Sequence, residues 1–385
     1  MKLKFIFFLL LFAYSNLYAS SANNKSICLN MIVKDEKDVI ERCLASVKPF
    51  IDYWVIVDTG STDGTQQVIK EFLKDVPGEL YERPWLNFGH NRNEALQLAK
   101  FKADYVLIMD ADDFLTYAQD FKFPALEKDG YHFIFDDCGS NYYRTQLVNN
   151  HINWQWYGVL HEYLGSTESK SYEDLKGITY VRYYDGARSK DPEKYLKDVQ
   201  VLEDALKKEP GNLRYAFYLA ESYRSAQLFE KAIEAYEKRV ALGGWDEEVF
   251  WSLLQIGYLK ELLEKPGKEI VDAYTKAFEF RPTRAEPLYH IARYFRNIGY
   301  FHAANVYALQ GLSIPKPNDL LFVESWVYDY GLLFEYSIIA YWVEDYLAAQ
   351  KASRDLLANP RLPENYRNCV ISNLEWINGK LNGSK

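Results

Sequence analysis

Cysteine is scarce. The 385-residue chain has four, Cys28, Cys43, Cys138 and Cys369, and no two form a C-x-x-C pair, which argues against a zinc site. Cys28 falls in an apolar strand-like run and Cys43 in an amphipathic one, so buried free thiols are expected rather than disulfides. Positive charge is also in deficit: 45 Lys and Arg against 54 Asp and Glu leave a net charge of −9, which argues against nucleic acid as the main partner. After the N-terminal segment no stretch reads as a transmembrane helix. A Gly-rich phosphate loop, which a nucleotidyltransferase on an α/β sheet would want, is missing as well.

What the chain does have is length for two domains and many aromatic residues (Tyr 32, Phe 22, Trp 9). That is more than one core needs, and it points to packed helical repeats or a ring-binding surface. Residues 1–20 read as a cleaved signal peptide: Lys2 and Lys4, an apolar run from Phe5 to Tyr14, and Leu17-Tyr18-Ala19 before the cut. The alternative is an uncleaved membrane anchor, but at ~1.5 Å per helical residue that run is too short for a ~30 Å hydrocarbon layer. Export or a secretory-pathway lumen is the expected location.

Ile27 to Val33 predicts a first strand, and Val39, Ile40, Cys43, Leu44 and Val47 come after it at helical spacing. Tyr53 to Val57 predicts a second strand ending in a polar turn from Asp58 to Thr65, with a helix through Val68, Ile69, Phe72 and Leu73. Leu80 and Tyr81 mark a third strand, Asn93 to Phe101 a helix, and Tyr105 to Met109 a fourth strand that runs into Asp110-Ala111-Asp112-Asp113. Strands alternating with helices predict a parallel α/β sheet. Glu36, Asp58 and Asp110 then lie just past the ends of three different buried strands, and in an open parallel sheet those ends share one ligand-binding edge. Acidic groups converging there need a metal or a ligand's hydrogen-bond donors to satisfy them.

The succession Lys34-Asp35-Glu36, Val57-Asp58-Thr59-Gly60-Ser61-Thr62-Asp63-Gly64-Thr65, Gly89-His90-Asn91-Arg92-Asn93 and Asp110-Ala111-Asp112-Asp113 resembles family 2 glycosyltransferases of the GT-A fold. That resemblance implies a Rossmann-like, mostly parallel sheet and a nucleotide-sugar donor, UDP-linked, bound by Glu36, Asp58, Asp63, Arg92 and Asp110. Asp58 would meet the nucleobase, Glu36 the nucleoside and Arg92 the diphosphate. Thr59 stands where many members carry Asp. Trp154-Gln155-Trp156-Tyr157-Gly158-Val159-Leu160-His161-Glu162 is similar to a motif of the members that carry helical repeats. The resemblance implies a divalent metal, Mn²⁺ or Mg²⁺, on Asp110, Asp112 and His161, with Glu162 as the base of an inverting transfer. Asp136 and Asp137 are rival bases.

Residues from about 165 to 192 are polar and break the pattern, so a catalytic domain over 25–188 is expected. From Asp191-Pro192 onward the chain turns to long amphipathic helices. Leu219, Ala220, Tyr223, Ala232 and Tyr236 match tetratricopeptide-type spacing, and Ile291, Ala292, Phe295, Gly299 and Ala304 repeat it. A helical repeat domain over 191–380 is expected, with its extra residues near Glu264-Lys265-Pro266-Gly267. Its role is to bind a protein or peptide, mediate dimerisation, or stabilise its neighbour. The acceptor class stays open between protein, peptide and glycan. A repeat scaffold carrying a degenerate, non-catalytic sugar-nucleotide domain is the alternative to an enzyme.

Overall fold

Runs such as ICLNMIV and YVLI are too uniformly apolar to leave either face in water, and they become the buried centre of one sheet. The computed structural model describes residues 25–137 and 140–383 and divides between Pro192 and Glu193 into two units. The leader read at residues 1–20 and Cys138 lie outside the described residues. Among those residues no helix is long and apolar enough to cross a membrane.

In the first unit β1 (Ile27–Val33), β2 (Tyr53–Asp58), β3 (Gly78–Glu82) and β4 (Tyr105–Ile108) are joined through α1 (Ile40–Val47), α2 (Thr65–Phe72) and α3 (Phe88–Leu98). They pair in parallel, in the order β3-β2-β1-β4. Alternate side chains serve two cores: Leu29, Met31, Ile56 and Leu107 pack with Ile40, Leu44 and Ile69, while Cys28, Val55 and Val106 pack with Leu96, Ala99 and Trp156. Burial pushes the Cys28 thiol up to about 12. Gly78 pairs with Trp54 across the β2–β3 ladder, and a Cβ there would sit 2.2 Å from the indole.

The second half of the sheet departs from the predicted parallel alternation. After β5 (Phe114–Tyr117), β6 (Gly130–Asp137) and β7 (Ser140–Asn149), the short hairpin β8 (Gln155–Tyr157) and β9 (Tyr163–Gly165) stands apart, and β10 (Tyr172–Val181) and α4 (Ala187–Lys190) complete the unit. The eight-stranded order is β3-β2-β1-β4-β7-β6-β10-β5, with β7 antiparallel to both β4 and β6, and β10 parallel to β6. β10 runs through the stretch expected to be irregular. Only Leu175, Ile178 and Tyr180 of that strand are buried, which explains its weak apolar pattern. Two reversals restore direction, so β1, β2, β4, β6 and β10 all end on one rim, which therefore carries Glu36, Asp58, Asp110 to Asp113, Asp137 and the residues after Val181.

The second unit is all helical: α5 (Lys194–Lys208), α6 (Leu213–Ser225), α7 (Phe229–Leu242), α8 (Asp246–Leu262), α9 (Gly267–Phe280), α10 (Glu286–Asn297), α11 (Phe301–Leu312), α12 (Leu332–Trp342), α13 (Tyr346–Ala358) and α14 (Glu364–Gly383). Four helix pairs, α6/α7 to α12/α13, turn in the same way. Gln227, Glu264, Gly299 and Glu344 each adopt a left-handed backbone just past the first helix. The next amide bonds back five residues, as Leu228 N to Tyr223 O, Lys265 N to Lys260 O, Tyr300 N to Phe295 O and Asp345 N to Ala340 O. Small residues at the same place in the second helix, Ala232, Ala304 and Ala349, are fully buried and let the pairs close. The α8/α9 pair is longer mainly because α8 has 17 residues where α6 has 13, so the turn at Glu264 to Gly267 is not the main insertion.

Glycine occupies only one of those four left-handed positions. Gln227→Gly should therefore raise stability by about 0.5–1 kcal/mol, and Gly299→Ala lower it by about 1 kcal/mol. Thermal unfolding of the two variants beside the parent checks this, and a loss in Gln227→Gly would show that the side chain matters more than the backbone strain.

Candidate functional site

Arg92 organises the rim. It lies on α3, which starts at Phe88 rather than Asn93 because the Asn87 side chain accepts from His90 N (2.9 Å) and caps the helix early. The expected Gly89–Asn93 motif is thus helical, and Arg92 is turned inward with only 10 % of its side chain exposed. Its Nη2 meets Asp110 Oδ1 and its Nε meets Glu162 Oε1, both at 2.6 Å, and the guanidinium lies 5.0 Å above the Trp156 ring. Burial works against this charge, but Asp110 and Glu162 outweigh it and hold the Arg92 pKa above the ordinary arginine value. Arg92 is thus held between two carboxylates, Asp110 and Glu162, beside the crevice where a diphosphate contact is expected of it.

Two close approaches hold that triad. Asn93 clamps both backbone groups of Trp156: its Nδ2 donates to Trp156 O and its Oδ1 accepts from Trp156 N, each at 2.8 Å. Gly89 faces the turn at Gly158 so tightly that a Cβ would sit 2.0 Å from the Gly158 carbonyl oxygen, and Phe88 N donates to Val159 O. The turn carries Glu162, whose side chain is 8 % exposed, onto Arg92. His161 precedes it in a left-handed conformation (φ 51°) and is exposed.

The carboxylate turn after β4 is braced from below. Asp110 N donates to Tyr180 OH (3.0 Å), and Arg42 Nη2 donates to the Asp112 carbonyl (2.6 Å). Asp113 is buried and accepts from Tyr183 N (3.0 Å). Burial, then Asp110 and Asp112, raise Asp113 to about 7. Burial, then Asp112, raise Glu36 to about 7, and burial and Asp110 raise Asp112. For Asp110 burial acts the same way but Arg92 and Arg144 overcome it, so its carboxyl is held low. Glu36, Asp110, Asp112 and Asp113 therefore form one interacting group.

Asp58 ends β2 beside Val33 and is 1 % exposed. Its Oδ1 accepts from Gly60 N and Ser61 N (2.9 and 2.8 Å), whereas Oδ2 is buried without a partner among the described residues. A buried acceptor left open in this way is what a bound donor group would complete. Thr59 offers no second contact, because its hydroxyl donates back to Val33 O (3.1 Å).

Asp63, expected at the nucleotide sugar, is engaged within the loops. It accepts from Lys37 N, Thr65 N and Thr65 Oγ1 (3.0, 2.9 and 2.6 Å) and so ties the loop after β1 to the loop after β2. Asp137 is also engaged, with Oδ2 taken by Arg182 (3.1 Å) and Oδ1 by Tyr184 OH (2.6 Å), so it is not placed as an open base. The expected trio Asp110, Asp112 and His161 is not assembled: among the described residues no three His, Cys, Asp or Glu side chains are gathered to hold a metal ion. Arg92 already occupies Asp110, and His161 is on the exposed side of its turn. The donor chemistry itself fits a hard divalent cation, since crowded, desolvated carboxylates with raised pKa values are what such an ion relieves.

Known proteins resemble parts of this chain. Residues 28–170 match the family model described as Glycosyl transferase family 2, so the first unit contains a domain of that family. The glycosyltransferase SunS of the Bacillus subtilis SPbeta prophage is 24% identical over 234 residues, 57% of this chain and 54% of that protein. A TPR repeat-containing protein of Synechococcus elongatus is 38% identical over 88 residues, 23% of this chain and 20% of that protein. The chain thus spans about half or less of the length of either relative. A crystal structure of a tetratricopeptide repeat protein from Parabacteroides merdae overlaps 49% of this chain and 68% of its own at 16% identity and a TM-score of 0.37. The four equivalent helix turns carry the repeat assignment by themselves.

Asp113 takes up its proton at about 7 in the fold against 3.8 ordinarily, so its contribution to stability is complete below 3.8 and lost as pH rises through 7. In metal-free protein the melting temperature of Asp113→Asn relative to the parent should climb across that window and level off above it. A difference independent of pH would show that Asp113 is ionised throughout.

Proposed function

We propose that the protein is a metal-dependent glycosyltransferase that moves a sugar from a UDP-linked donor to an acceptor with inversion. The observation that carries this is the meeting of Asp58, Glu36, Asp110, Asp112 and Glu162 at one rim of a family 2 domain, with one Asp58 oxygen left open in the core. Asp58 accepts from the nucleobase, and Glu36 sits beside it at the end of β1, where the nucleoside lies. A divalent cation, Mn²⁺ or Mg²⁺, would be held by Asp112 with Asp110 and would supply positive charge to the departing diphosphate.

Glu162 is the base in this reading. Its buried carboxylate is aimed by Arg92, the same cation that fixes Asp110, so base and donor-side carboxylates are registered by one residue. The acceptor's nucleophilic oxygen or other atom attacks the anomeric carbon, and Glu162 takes its proton. The bond to the diphosphate oxygen breaks with its electron pair staying on the diphosphate. Trp156 underlies Arg92 and keeps water from that side.

A catalytically inert domain attached to a repeat scaffold is the second reading, favoured by the absence of a gathered metal trio among the described residues. Calorimetry with UDP and Mn²⁺ separates the two, since an inert domain gives no metal-dependent heat.

A panel of nucleotide sugars with Mn²⁺, read by release of nucleoside diphosphate, tests the proposal. Asp112→Ala should abolish release in a protein that still melts cooperatively. Glu162→Gln should lower kcat about 10²- to 10⁴-fold while donor affinity is kept. Full activity in Glu162→Gln would move the base to another group.

A further inference from the structure

The arginines of the rim are not all engaged alike. Arg42 is paired with Asp185, Arg92 with Asp110 and Glu162, and Arg182 with Asp137. Arg144 on β7 has a different setting. It is half-buried, its guanidinium lies 5.7 Å from the Trp156 ring and 5.8 Å from the Phe135 ring, and among the described residues no carboxylate pairs with it. A guanidinium held over aromatic rings keeps its in-plane N–H donors for a planar anion. Against the burial of Asp110 its charge works alongside that of Arg92.

Topology decides which end of the crevice this is. In the order β2-β1-β4-β7, Asp58, Glu36 and the Asp110–Asp113 turn stand at the ends of the first three strands, so a nucleotide sugar lying across them leaves β7 on its far side. Carried on past Leu107–Leu147, the β4–β7 register brings Arg144 level with Asp110. The Trp156 ring beside Arg144 also lies under Arg92, which aims Glu162. An acceptor that reaches Glu162 therefore passes Arg144. Farther out on the same face of β7, Tyr142 is exposed and its ring stacks on Phe135 at 5.2 Å. We propose that Arg144 binds an anionic group of the acceptor, the carboxylate or phosphate of an acidic sugar, and so selects charged over neutral acceptors. Arg144 offsets the repulsion that Asp110 and Glu162 exert on such a group. A sugar suits the setting better than an extended peptide, because β7 is an interior strand with no free edge for a peptide to join, and the Tyr142 ring offers a flat face to a sugar ring. The proposal deepens the glycosyltransferase reading and rests on it.

The test uses the full chain with UDP and Mn²⁺ present, titrated with glucuronic acid, galacturonic acid and glucose-6-phosphate beside glucose and galactose. In calorimetry the parent should bind at least one charged sugar about tenfold or more tighter than its neutral counterpart, and the uronic acids set against the phosphate tell the two anions apart. Arg144→Gln should remove that preference, Arg144→Lys should keep most of it, and Arg144→Glu should turn it toward glucosamine. In turnover Arg144→Gln should raise the KM of the charged acceptor about tenfold or more while the donor KM stays where it was. A parent with no preference among these sugars, a parent that binds a Glu-rich peptide in their place, or an Arg144→Gln variant that keeps the preference would each overturn the proposal. A donor KM that rises in Arg144→Gln would also overturn it, by moving Arg144 to the donor. A charge preference that depends on Arg144, in a protein that turns over no nucleotide sugar, would uphold the site and sink the glycosyltransferase reading. Transfer to neutral sugars alone would do the reverse.

Discussion

One guanidinium holds the rim together. Arg92 joins Asp110, just past β4, to Glu162, which lies 70 residues from Arg92 in sequence on a separate turn. Glu162 is buried, and leaving such a charge unpaired costs roughly 3–5 kcal/mol, so Arg92 fixes the turn at Gly158–Glu162 as firmly as it fixes the carboxylates. The packing beneath answers the same demand. Trp156 lies against the guanidinium, Asn93 locks Trp156, and Gly89 allows the backbone of α3 to reach the turn at all.

Around that pair the molecule separates groups that are held from groups that are left under tension. Asp63 and Asp137 have their oxygens filled and sit in loops they stabilise. Glu36, Asp112 and Asp113 are desolvated beside one another, and each is shifted toward its protonated form. Three adjacent carboxylates in that condition repel one another when ionised; a cation or a donor-bearing ligand would turn the same crowding into affinity.

The strands of the first half were readable because uniform apolar runs can be satisfied only inside a sheet covered on both faces. The convergence of Glu36, Asp58 and Asp110 came from topology alone. Other features had no local signal. β10 alternates poorly since Glu173, Asp174 and Lys176 are outward, and its partners come from far along the chain. The inward turn of Arg92 depends on Glu162, and the early start of α3 on a single capping asparagine. His161 was placed by motif resemblance and Asp137 as a rival base, and each is redirected by a contact or backbone angle that spacing does not encode. In the repeats, Gln227, Glu264 and Glu344 hide the turn that Gly299 announces, because three of the four left-handed positions lack glycine.

The choice between an enzyme and an inert scaffold turns on where the free energy is held. A domain whose only duty was to support helical repeats would be more stable with the open Asp58 oxygen filled and the Asp110–Asp113 turn less acidic, since burial penalises each of those groups. The repeat unit illustrates that alternative: Arg284 is fully buried, yet Glu286 and Asp319 meet it through several hydrogen bonds, and Tyr328 completes Glu286. Buried charge is thus answered at Arg284, whereas Arg224 Nε, Arg293 Nε and Glu324 Oε2 of the same unit are buried without hydrogen-bond partners among the described residues. At the rim of the first unit it is answered only in part, and the part left over points toward a ligand that brings its own hydrogen-bond donors at the Asp58 end and a cation near Asp112.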